Sequence, residues 1–197
     1  LYRADKQDGA GLDNSQNHQK TSTFSLKFRN DGKVKTNAPY IVAFVDLPQT
    51  KASRNLVQEG YDANRNGKEL IIPIKDARIC DLVAQAKDTR RIAPAQTTRT
   101  LELKTKQEKG KSEYGQHQTP IAIFGDAELA ELNASYLADR GYEFGKVWDW
   151  TTEELEKILD KEDNALVRAV GLGGGDYDII DSVVASDGFG SVGCARA

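Results

Sequence analysis

Several short stretches of this 197-residue chain place side chains at spacings that could do chemistry. Asp62-Ala63-Asn64-Arg65-Asn66-Gly67 sets oxygen donors at alternate positions, as the first half of a calcium loop does. The twelfth position of such a loop must carry a bidentate carboxylate, and here it is Pro73, which excludes an EF-hand. Asp62, Asn64 and Asn66 are left as donors for a looser oxygen cage, or as an Asn-Gly turn leading into Leu70-Ile72. Gly171-Leu172-Gly173-Gly174-Gly175-Asp176 invites comparison with phosphate loops, but no Lys-Ser/Thr follows. Asp176 stands where the third glycine of a dinucleotide loop belongs, and its charge opposes a phosphate. The run reads as a connector. Asp176, Asp178 and Asp181 read as solvated carboxylates rather than a cation site.

Nucleophile chemistry has little to work with. His18 and His117 both lie in polar, loop-like sequence. Cys80 falls beside Ile79, Leu82 and Val83, where a small buried side chain is expected, and Cys194 lies in a glycine-rich tail. Two cysteines make no disulfide scaffold and too few ligands for a Cys-rich zinc site. Asn133-Ala134-Ser135 fits a glycosylation sequon but falls in a helical pattern. The sequence therefore implies no catalytic residue, no cofactor and no metal.

Basic residues are the remaining feature. Arg90, Arg91, Arg99, Lys104, Lys106, Lys109 and Lys111 form a run that could hold phosphates or a neighbouring subunit by charge. Stacking platforms for single-stranded bases are sparse there, with only Tyr114 near, and Glu102, Glu108 and Glu113 dilute the run. Residues 1–118 hold 21 Lys and Arg against 14 Asp and Glu, a net of +7. Residues 119–197 hold 6 against 16, a net of −10, so the whole-chain charge of −3 hides a strong polarity. Copies could meet basic part to acidic part.

The elements that must carry these residues follow from periodicity. Residues 1–20 read as a flexible polar arm. Over Thr21–Arg29, Phe24, Leu26 and Phe28 alternate with Ser25, Lys27 and Arg29, the mark of a half-buried strand. Asp31-Gly32 suits a hairpin turn with Val34 opening the return. Tyr40–Val45 is continuously apolar, so that strand should be covered on both faces. Residues 49–68 read as polar turns, and Leu70–Ile74 as a strand that Pro73 confines to an edge or bulge.

A helix is expected over Lys75–Lys87 through Ile79, Leu82, Val83 and Ala86, then a strand over Thr97–Thr105 with Leu101 and Leu103 on one side. Residues 106–118 look like a charged exposed loop and Ile121–Phe124 like a short buried strand. Asp126 caps a helix with Leu129, Leu132, Tyr136 and Leu137 on its apolar face, and Gly141 stops it. Tyr142, Phe144, Val147, Trp148 and Trp150 form an aromatic cluster before the capping box of Thr151 and Glu154. The class is α+β: a basic, β-rich part with antiparallel strands over 21–118, and an acidic part over 119–197 in which helices concentrate, ending in a Gly-rich tail, the two integrated in one domain. No apolar run is long enough for a membrane span.

Leu1-Tyr2-Arg3-Ala4-Asp5 resembles the start of the catalytic chain of cholera-type ADP-ribosylating toxins. That resemblance implies an Arg3 that holds NAD, followed by a Ser-Thr-Ser strand and a Glu-x-Glu pair. Thr21-Ser22-Thr23 and Glu154-Leu155-Glu156 are the nearest counterparts, the first soon after Arg3 and the second inside a capped helix. The chain as a whole reads as a non-enzymatic structural subunit, a virus or phage coat or other virion component in virion or cytoplasm. Its expected partners are copies of itself or other assembly subunits. A single-strand nucleic-acid-binding protein and a toxin fragment are the alternatives.

Overall fold

A computed structural model describes residues 19–32, 34–46, 50–95, 99–105, 107–147, 151–159, 163–172 and 179–182. The alternating segment forms β1 (Gln19–Arg29), paired antiparallel with β2 (Tyr40–Asp46) from Thr23↔Asp46 to Arg29↔Tyr40. Asp31-Gly32 does not make a tight hairpin and Val34 opens no strand. Val34, which packs partly against the core, is the only large apolar residue between Gly32 and Pro39, so that stretch lacks the alternating apolar face of a strand. Instead the loop is gathered by Asn30, whose Nδ2 donates to the carbonyls of Val34, Thr36 and Ala38 at 3.2–3.4 Å. Its backbone N–H closes the loop onto Pro39 at 2.8 Å.

The sheet continues through β3 (Leu70–Pro73), β4 (Ile92–Pro94), β5 (Arg99–Glu102), β6 (Phe144–Val147), β7 (Asn164–Leu172) and β8 (Ile179–Ser182). Its order is β4-β2-β1-β7-β8-β6-β5, with β3 also paired to β7. Pairing is antiparallel except at β6–β8, where Val147 meets Ile179 in parallel. Between Lys20 and Phe24 the β1–β7 register shifts, a bulge in β1. Strands from both charge halves thus share one sheet. The fold is mixed α+β, but helices are not concentrated in the late part: α1 (Lys51–Arg65) and α2 (Ala77–Asp88) both lie within the basic part, and β6, β7 and β8 lie within the acidic one.

Helix α1 replaces the polar turns expected over 49–68, and its Leu56 is fully buried. Leu56 joins Phe24, Leu26, Phe28, Ile41, Ala43, Val45 and the expected α2 face of Ile79, Leu82, Val83 and Ala86 in one core cluster. The opposite sheet face is covered by α3 (Glu113–Gln116), α4 (Gln118–Phe124), α5 (Ala127–Ala138) and α6 (Thr152–Ile158). Val42, Phe44 and Val170 pack there with Leu101, Tyr114, Ala122, Ala134 and Leu137. Tyr40 and Leu166 pack under Leu155 and Leu159. Strand β2 is therefore enclosed on both sides, as its unbroken apolar run requires.

β1 is enclosed too, so its second face is not solvated as alternation suggested. Lys27 is 1% exposed and donates from Nζ to Ser25 Oγ at 3.0 Å. Arg168, opposite Ser25 on β7, donates from Nη1 to both carboxylate oxygens of Glu69 at 2.8 Å. The Arg168 charge is tolerated in this position because Glu69 pairs it.

Residues 118–124 form a helix, not a strand. Pro120 sits in the first turn, where a missing N–H costs nothing, and Gly125 closes the helix at φ 75. Ser112, Tyr114 and Gly115 are buried, so 106–118 is not an exposed loop throughout.

Candidate interaction surface

Helix α5 begins where Asp126 Oδ1 accepts the backbone N–H groups of Glu128 at 2.6 Å and Leu129 at 3.1 Å. Gly141, at φ 89, lies just past its end. Toward the protein it presents small residues, Ala130 and Ala134, with Ser135 and Leu137. These let α3 approach closely: a Cβ on Gly115 would stand 2.8 Å from the Cα of Glu131. The approach is fixed by hydrogen bonds. Glu131 accepts from Ser112 N at 2.9 Å and Ser112 Oγ at 3.1 Å, and Asn133 Nδ2 donates to Tyr114 Oη at 3.2 Å.

The large apolar residues turn the other way. Leu129 is 51% exposed and Leu132 39%, while Tyr136 is half-buried under the Arg140 guanidinium, 4.3 Å from its ring centroid. Of the expected core face, Leu129, Leu132 and Tyr136 are not enclosed; Leu137 is. A helix with apolar residues on two sides serves two contacts: Tyr136 packs partly against the core, while Leu129 and Leu132 stay exposed among the described residues. Glu128, Asp139 and Arg140, all exposed, form its charged rim. The signal was in the sequence: Ala130 and Ala134 lie one turn apart on one stripe, and Leu129, Leu132 and Tyr136 occupy another.

The basic run is divided among different elements. Arg90 is exposed, in the left-handed conformation at φ 56 just after α2. Arg91 is internal, its guanidinium bound to Asp46 and to the carbonyls of Ala122 and Ile123. Arg99 lies on β5 and its side chain, like the whole of Lys106, falls outside the described residues. Lys104 is half-buried, its Nζ over Gly110, and Lys109 and Lys111 are exposed on the same loop. Glu108 accepts from Thr105 N at 2.6 Å and Oγ1 at 2.9 Å. These bonds hold its carboxyl below the usual range, so it stays anionic among the lysines.

The remaining motifs resolve into structure. Asp62 and Asn64 lie within α1 and Asn66 follows its end, so the segment is helical rather than a cation-binding loop, and the Asn64 side chain falls outside the described residues. Asp62 accepts from Gln58 Nε2 at 3.0 Å, and Asn66 Nδ2 donates to the Asp62 carbonyl at 2.7 Å. Among the described residues no group of three or more His, Cys, Asp or Glu is placed to hold a metal ion. His117 caps α4, its Nδ1 accepting from Thr119 N at 3.3 Å. The Asn133 sequon is helical, with Ala134 and Ser135 buried. Arg3, His18, Trp148, Trp150, Asp176, Asp178 and Cys194 lie outside the described residues, as do the arm up to residue 18 and the tail from 183.

Glu154 is spent on the capping box: its carboxylate accepts from Thr151 N at 2.7 Å and Oγ1 at 2.9 Å, which lowers its pKa. Glu156, two residues along the same helix, points to a different side. Cys80 is exposed, not buried, its thiol donating to the Ile74 carbonyl at 3.0 Å. It borders a groove of about 500 Å³ with Phe28, Arg29, Val83 and Lys87, in which no imidazole stands beside the thiol.

Compared with protein-family models, curated proteins and solved structures, the chain matches none of them. Among the described residues no helix is long and apolar enough to cross a membrane.

Proposed function

We propose that this protein is a structural subunit that assembles with copies of itself or other subunits through apolar and charge-complementary contacts, as a virus or phage coat or other virion component. The observation that carries the assembly reading is the outward face of α5, where Leu129 and Leu132 remain exposed although the same helix has Ala130, Ala134 and Leu137 to pack inward. The virion setting rests on the sequence pattern alone, the charge polarity of +7 against −10 and the polar arm and glycine-rich tail at the two ends.

Light scattering across protein concentration and salt tests the reading. Mass should rise with concentration and fall as salt increases, since charged contacts are screened over roughly 10 Å at 0.1 M. A strict monomer under all conditions overturns it.

A second reading, single-strand nucleic-acid binding, has one observation in its favour: Lys109 and Lys111 are exposed on one loop. Titration of labelled single-stranded DNA separates the two. A monomer that binds with a steep salt slope favours this reading over assembly.

A further inference from the structure

We infer that α5 pairs antiparallel with α5 of a second copy across a two-fold axis, Leu132 facing Tyr136 of the partner subunit and Glu128 facing Arg140 of the partner subunit. The inference rests on the assembly reading and names its contact. Leu129, Leu132 and Tyr136 stand at i, i+3 and i+7, the spacing of a seam that one helix offers another.

The occupant follows from charge placement. Counted from Ala134, Leu132 and Tyr136 lie two residues to either side, and Glu128 and Arg140 lie six residues to either side. An antiparallel pair centred at Ala134 therefore satisfies both relations in one register. Each Glu128 then meets the partner's Arg140 at both ends, and Leu129 lies beside Asp139 of the partner subunit at the margin of the contact. Glu128 is in the first turn of α5 and Arg140 lies just past its last, so each charge also has the sign its own helix end favours. Arg140 stacks on Tyr136, which brings cation and ring into the contact as one unit. No other protein is needed to complement this patch, because under a two-fold axis it complements itself. A helix of 12 residues spans about 18 Å, and such a pair buries less than the roughly 1,200–2,000 Å² of a standard interface, so the association is weak and concentration-dependent.

Sedimentation equilibrium of the full chain tests this with Leu132→Glu, Glu128→Arg, Arg140→Glu and the double variant E128R/R140E. Leu132 and Glu128 are exposed and Arg140 stacks on Tyr136, so Leu132→Glu should melt with the wild type and the charge reversals, which oppose their helix ends, slightly below it, and circular dichroism verifies that all four remain folded. Each single variant should raise the dissociation constant about tenfold or more, and the double charge swap should recover most of that loss. Self-association that none of the four changes alter overturns the α5 contact while the assembly reading stands. A monomer at every concentration and salt overturns both and leaves this helix face to a different protein.

Discussion

Arg91 Nη1 meets Asp46 Oδ2 at 2.6 Å while the same guanidinium donates from Nε to the Ala122 carbonyl at 3.1 Å and from Nη2 to the Ile123 carbonyl at 2.7 Å. One side chain thereby ties the end of β2 to the last turn of α4, whose carbonyls have no partner within the helix. Asp46 also accepts from Thr23 Oγ1 at 2.7 Å, which extends the network into β1. Removing the cation strands an acid and two carbonyls in a site where the Arg91 side chain is only 11% exposed and Asp46 is 36% exposed.

Arg91→Ala should therefore destabilise the protein by about 2–3 kcal/mol, below the largest values for buried pairs because Asp46 is partly hydrated. Arg91→Lys should recover only part of this, because a single ammonium lacks the planar fork that spans an acid and two carbonyls. Urea denaturation monitored by far-UV circular dichroism measures both. If the loss is confined to subunit or nucleic-acid binding, with stability unchanged, Arg91 belongs to a contact surface instead.

Gly145 on β6 lies against the buried ring of Tyr114, where an added Cβ would stand 2.7 Å from Cδ2 and 2.9 Å from Cε2. The ring is fully buried, and its hydroxyl is held by Asn133, so it has little room to yield. Gly145→Ala should cost about 1–3 kcal/mol by overpacking. Tyr114→Phe keeps the ring and removes the Asn133 hydrogen bond, for about 1 kcal/mol. Chemical denaturation of the two variants should rank them in that order; Gly145→Ala melting with the wild type would show that the ring can move aside.

Local signals survived folding where one segment decided its own structure. The period-two run of Phe24, Leu26 and Phe28, the helical spacing of Ile79, Leu82, Val83 and Ala86, and the Thr151–Glu154 capping box all lie where their patterns place them. Signals failed where distant contacts decided. Lys27 is buried because helices cover the second sheet face, which alternation within β1 cannot report. Among the described side chains of helix α1, Leu56 is the large one that is buried, so its sequence resembles a surface loop. Residues 121–124 are apolar enough for a strand, and only Pro120 and Gly125 at their borders mark a short helix. The α5 surface was visible as a stripe, but its direction depended on α3 approaching the small residues instead.

That direction has a mutational signature. Leu132→Ser, at a position 39% exposed, should alter stability by no more than about 0.5 kcal/mol. Ala134→Leu, at a position with no exposure, should cost about 1–3 kcal/mol by driving α5 off the α3–α4 layer. Thermal melts of the two variants reverse the order that hydrophobicity alone would assign. A large loss from Leu132→Ser would mean that this face is already covered within the monomer.

The junction of α1 with α2 depends on pH through Asp76. Asp76 caps α2, its Oδ1 accepting the Arg78 N–H at 2.9 Å, and binds the Arg78 guanidinium from both carboxylate oxygens at 3.0 and 2.8 Å. Arg78 also donates to Glu59 on α1 at 2.6 Å. The side-chain bond from Arg78 is the main reason the Asp76 carboxyl lies below its ordinary value of 3.8, partly opposed by desolvation. A depressed folded-state pKa means the unfolded chain takes up the proton first as pH falls. The stabilisation is thus complete well above pH 3.8 and is lost as pH drops through the lower folded-state value. Asp76→Asn keeps a good cap and removes only the charge, so it isolates this contribution. The melting temperature of wild type should exceed that of Asp76→Asn at pH 7, and the gap should close on acidification below about pH 4. A gap that stays constant down to the acid transition would show that the difference does not come from the Asp76 charge and would overturn the ion pair with Arg78 as its source.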